Sequence, residues 1–141
     1  MSATTKTLRL TAEAALSAVH AAVRHGRSLG VSVNACVVDA GANQIAFLRD
    51  DGAFLPSGDI ARDKARTSVG FGLPSGKLYE VLKGEPDVLA GIVNRPGVAA
   101  FPGGLPIMAG DHLIGAIGVS GASAEQDDAC AAAGISTLDL S

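Results

Sequence analysis

Residues 34–51 read NACVVDAGANQIAFLRDD, two apolar runs of strand length on either side of Asp39-Ala40-Gly41-Ala42-Asn43. The first run begins its strand period near Val31, and the second is QIAFLR (44–49). An Asp that can bond its own backbone, with Gly and Asn after it, favours a tight turn over a long crossover, so the stretch predicts a β-hairpin. A catalytic carboxylate is the other reading of Asp39.

Working back from the hairpin, Thr11 can cap a helix with Glu13 in its first turn, running to about Leu29 and stopped by Gly30. Ala12, Ala15, Leu16, Val19, Ala22 and Val23 form its expected core stripe, and Glu13, Ser17, His20, Arg24 and Arg27 another face. Working forward, Asp50–Pro56 is a loop ending at Ser57, the expected N-cap of a helix over 58–69. A short helix follows over 75–83, ended by Gly84-Glu85-Pro86, and 91–96 reads as a connection in less regular chain. Two strands, one ending in PIMAG and one spanning LIGAIGVS, flank the turn Gly110-Asp111-His112. Ser123 then caps a last helix to about Leu138, with Glu125, Asp127 and Asp128 in its early turns. Hairpins joined by helices, without a βαβ rhythm, predict an α+β domain with a mainly antiparallel sheet.

At 141 residues the chain holds one domain, residues 1–141, with the first ten as a polar and flexible lead-in. Its 48% hydrophobic content provides a core, and 25 Ala and 18 Gly make that core one of small pieces. A net charge of −3, no basic run and no Trp argue against nucleic acid. No apolar run approaches the ~20 residues that span a bilayer, so a cytoplasmic protein without a membrane segment is expected. Cys36 and Cys130, apart and in apolar surroundings, read as buried small hydrophobes.

Four strings in order, ACVVDAGANQIAFLRDDGA, Ser57 with ARDKARTSVGF, PGGLPI and LIGAIGVSGASAEQDDACAAAG, resemble the GlcG/HbpS family. This is the haem-binding or "haem-degrading" domain that also forms the C-terminal part of PduO-type proteins. The resemblance covers the chain from about Thr11 onward. It implies a profilin-like two-layer domain, a five-stranded antiparallel sheet with helices against it, assembly into a homo-oligomer, and a link to haem or another tetrapyrrole.

Several residues can carry chemistry. Lys64 falls with Ile60, Ala61, Ala65 and Ser68 on the apolar stripe of its helix, where a low-dielectric wall lowers an amine's pKa toward acid–base use. Snorkelling, or a structural ion pair, is the plainer reading. Arg49 and Asp51 flank the start of the loop, Arg49 as an anchor for an anion and Asp51 as charge partner for Lys64; a salt-bridged loop is the alternative. Ser57 is the expected ligand hydrogen-bonder. Gly103, Gly104 and Pro106 form a second wall, in which glycines permit close ligand approach or simply turn the chain into a strand. No histidine spacing fits a multi-histidine metal site. The resemblance makes His20 the candidate axial ligand for haem, although the scarcity of aromatic rings weighs against a porphyrin.

Two functions follow. One is an oligomeric small-molecule-binding protein, with haem as the candidate cofactor. The other is an isomerase, tautomerase or lyase acting on a small carboxylated metabolite, with Lys64 as acid/base, Asp51 tuning it and Arg49 holding the anion.

Overall fold

The computed structural model describes residues 1–141 and places the hairpin in β1 (Asn34–Asp39) and β2 (Gln44–Arg49). Asp39 makes the turn as read: its Oδ1 accepts the N–H groups of Gly41 and Asn43, each at 2.9 Å. The remaining elements are α1 (Ala12–Ser28), α2 (Pro56–Phe71), α3 (Ser75–Leu82), α4 (Pro86–Val93), β3 (Gly104–Ala109), β4 (His112–Ser120) and α5 (Ala124–Ser136). All strand pairings are antiparallel, in the order β2-β1-β4-β3. The antiparallel α+β class therefore holds.

Three features depart from expectation. The sheet has four strands where the resemblance implies five. Residues 1–11 join no ladder and the stretch between α2 and β3 is helical, so no segment remains for a fifth. Helices also cover both faces, three layers in place of two. The central strands demand this: every residue of β1 except Asp39 is buried, and β4 is buried from Ile114 to Ser120, so each face presents apolar groups. Ala35, Val37, Ile117 and Val119 meet α1 and α5, while Cys36, Val38 and Ala116 meet Ala61, Ala65 and Val69 of α2. Finally, the supposed irregular stretch contains α4, begun by Pro86 at its first turn.

Gly118 of β4 lies opposite Gly104 of β3, and the pair opens a furrow in the sheet. A Cβ on Gly118 would strike the Ala61 carbonyl and Ala65 nitrogen, and one on Gly104 the Lys64 carbonyl. The helix backbone itself thus rests on the strands, which fixes the position of Lys64.

Candidate functional site

The Lys64 side chain leaves α2 between the sheet and the start of α5. It is 1% exposed. Its Nζ donates to the Val119 carbonyl at 2.9 Å and to Asp127 Oδ2 at 2.8 Å, with the Phe101 ring centroid 4.9 Å away. Asp127 Oδ1 accepts the Ala122 N–H at 3.0 Å, so one carboxylate ties α2 to the approach of α5. Burial pushes the Lys64 amine below its usual pKa and the Asp127 carboxyl above its own, while their mutual hydrogen bond opposes both shifts.

This geometry corrects the expected partnership. Asp51 is exposed, and its N–H donates to Asp50 Oδ1; Asp127 is the charge partner of Lys64. Arg49 is exposed at the end of β2, opposite Asn34 in register, and forms no ion pair. Its neighbour Asp50 is buried and bound by Arg27 through Nε at 3.0 Å and Nη2 at 2.7 Å, a hydrogen bond that holds its carboxyl below the usual range. Ser57 lies inside the first turn of α2, whose N-cap is Leu55. Its buried hydroxyl accepts from Asn34 Nδ2 at 2.7 Å and donates to the Phe54 carbonyl.

The glycine wall packs directly against Lys64. Gly103 has φ 129°, and a Cβ there would sit 2.6 Å from Lys64 Nζ. The Gly103 N–H goes to Asp128 Oδ1 at 3.2 Å and the Gly104 N–H to Ser75 Oγ at 2.8 Å, which leaves neither for an anion. Pro106 belongs to the edge strand β3, where a missing N–H costs the ladder nothing. The sequence reading missed Asp127. Its signal was periodicity: Asp127, Cys130, Ala131 and Gly134 fall at i, i+3, i+4 and i+7 and are all buried, which sets one acid among small residues.

A second arrangement lies on the open side of the hairpin. Glu13, Leu16, Ser17 and His20 of α1 and Phe47 and Leu48 of β2 line an open cleft of about 460 Å³, within the ~300–1,000 Å³ range of small-molecule sites. Leu16, expected in the core, is 59% exposed and forms part of its apolar wall. His20, one turn further along α1, presents an exposed imidazole to the same space. The cleft thus sets a single exposed imidazole beside the Leu16 and Leu48 side chains, while the Phe47 ring turns to the other face of the sheet, 4.1 Å from the Arg62 guanidinium.

Element order and strand pairing together define a small α+β domain with an antiparallel four-stranded sheet. The family profile described as "Haem degrading protein HbpS-like" matches residues 10–136, and the chain belongs to the HbpS-like family. A double mutant of Streptomyces reticuli HbpS is 36% identical, with a TM-score of 0.88 over 96% of this chain and 91% of that one. The structure named "PduOC:Heme Complex" is 30% identical, with a TM-score of 0.86 over 94% of this chain and 96% of that one. The corrinoid adenosyltransferase PduO of Salmonella typhimurium is 31% identical over 122 residues, which cover 85% of this chain but only 36% of PduO. No helix is long and apolar enough to cross a membrane.

Proposed function

We propose that this protein binds haem, or a closely similar tetrapyrrole, in the cleft between α1 and β2, and does so as a homo-oligomer. The observation that carries this reading is the His20 imidazole in an apolar cleft, in a chain 30% identical to a domain with a haem complex. His20 would hold the iron, with Leu16 and Leu48 against the macrocycle. Arg24, one turn beyond His20, and Arg49, next to Leu48, supply cations for the propionates. Bound haem would supply an iron centre for redox or gas chemistry; the chain's own part is to ligate it, cover one face and pair its carboxylates. The cleft is open on one side, so a neighbouring subunit is the natural cover for the other face.

The enclosed position of Lys64 supports a structural role for that residue. Its amine is bonded to Val119 and Asp127, and neither the His20 cleft nor the larger one lined by residues 7–10 reaches it. Titration of haem into the purified protein should give a saturable Soret change, and native mass spectrometry should show whole subunits carrying one haem per cleft. Absorbance that rises only as for free haem would overturn the proposal.

A further inference from the structure

Residues 7–10 lie beside the turn from β1 to β2, and between them is a cleft of about 560 Å³ that shares no lining residue with the His20 cleft. Two irregularities of the sheet build its floor. In β2 the register steps from Val37–Ala46 to Val38–Gln44 and leaves Ile45 as the extra residue; in β4 it steps from Ile107–Gly115 to Met108–Leu113 and leaves Ile114. Strict alternation would turn Ile45 with Phe47, and Ile114 with Ala116, to the α2 face. Both isoleucines instead pack with Leu10 in the cluster on the other face. Bulges re-aim side chains, and here two of them, on either side of β1, aim at one place.

Two charges line the same cleft, Asp39 at the end of β1 and Arg9 on the lead-in segment, and neither forms an ion pair. Asp39 Oδ1 is occupied by the N–H groups of Gly41 and Asn43, whereas Oδ2 has only the Asn43 Nδ2 group at 3.3 Å. Residues 1–10 make no hydrogen bond to the rest of the chain; Leu10, packed beside Gly115, is what holds them against it. We infer that the cleft is a second ligand site, for a small zwitterion with a branched apolar body, the chemistry of an apolar α-amino acid. The ammonium donates to Asp39 Oδ2 and the carboxylate accepts from the Arg9 guanidinium. The side chain lies against Ile45 and Ile114, beneath Leu8, which is 52% exposed in the free chain. Charge complementarity selects this occupant, because an apolar carboxylate would leave Asp39 unpaired against it and an apolar amine would do the same to Arg9.

Titration with leucine, isocaproate and isoamylamine tests it, the last two being leucine without its ammonium and without its carboxylate. Followed by the amide NMR shifts of Gly41 and Ala12, leucine should bind saturably and at least about fivefold more tightly than either analogue. Arg9→Gln should erase the advantage of leucine over the amine, with melting unchanged because Arg9 is exposed and unpaired. Asp39→Asn, which keeps an oxygen for the turn, should erase its advantage over the acid. Absence of a saturable shift with leucine, or equal affinities for the three compounds, would overturn the site. A preference for leucine that survives both substitutions would overturn the roles of Arg9 and Asp39, and the proposal with them.

Discussion

The Lys64 cluster and the His20 cleft are built from opposite materials. The first concentrates the charges and glycines that look most like chemistry, and it is closed: an amine 1% exposed, fitted to Gly103 and Asp127. The second has a plain sequence of Leu, Ser, His and Phe, and it is open. An unusual residue on an apolar stripe marks a place where the fold must compensate a charge; a leucine left outside the core marks a place where something else can bind. Removing one member of a buried ion pair strands the other, so Lys64→Met should cost about 3–5 kcal/mol in chemical denaturation. Lys64→Met/Asp127→Leu should recover roughly half or more of that loss. A Lys64→Met protein as stable as wild type would break the contrast.

Gly118→Val probes the same closed region from the strand side. Its side chain would enter the space of the Ala61 and Ala65 backbone, which cannot give way as a flexible side chain can. A loss of about 2–3 kcal/mol is expected, and an unchanged melting temperature would show that α2 does not rest on the sheet at this point. In the open region the effect should fall on ligand and not on folding. His20→Ala is expected to weaken haem at least about tenfold, some 1.4 kcal/mol, and to move stability by less than about 0.5 kcal/mol.

The smallest effect concerns the loop after β2. The Asp50 carboxyl lies below its ordinary value of 3.8 because Arg27 bonds it. Its contribution is therefore present above the unfolded-state value and is lost as pH falls through the lower folded-state value. Asp50→Asn should cost about 0.5–1 kcal/mol at neutral pH, since Arg27 is 56% exposed and screened by solvent. The variant should also show a shallower fall in melting temperature with acid. Parallel acid curves for the two proteins would exclude this role.

The legible parts of the fold were those with a local cause. The Asp39 turn, the Thr11 cap and the Ser123 cap each satisfy backbone groups within a few residues, and all three form as read; the Gln126 side chain that completes a capping box with Ser123 is an addition of the structure. Lys64 was legible as a buried cation because its neighbours at helical spacing are apolar. Its partner was not, since Asp127 lies 63 positions away and only the packing of α2 beside α5 joins them. The second helical layer was hidden for a similar reason: β1 and β4 are apolar on both faces, so the alternation that would reveal a single covered face is missing. The cleft escaped because Leu16 obeys the core period of α1 while the neighbouring edge strand β2 leaves it uncovered.

The central claim is that ligand binds at the open cleft and that the charged cluster only supports the fold. Haem titration, followed at the Soret band, of wild type, His20→Ala and Lys64→Met/Asp127→Leu side by side tests it most directly. The account predicts saturable binding by wild type and by the folded double variant, with the change lost or shifted at least about tenfold in affinity for His20→Ala. Wild-type binding by His20→Ala, together with its loss in the folded double variant, would contradict it.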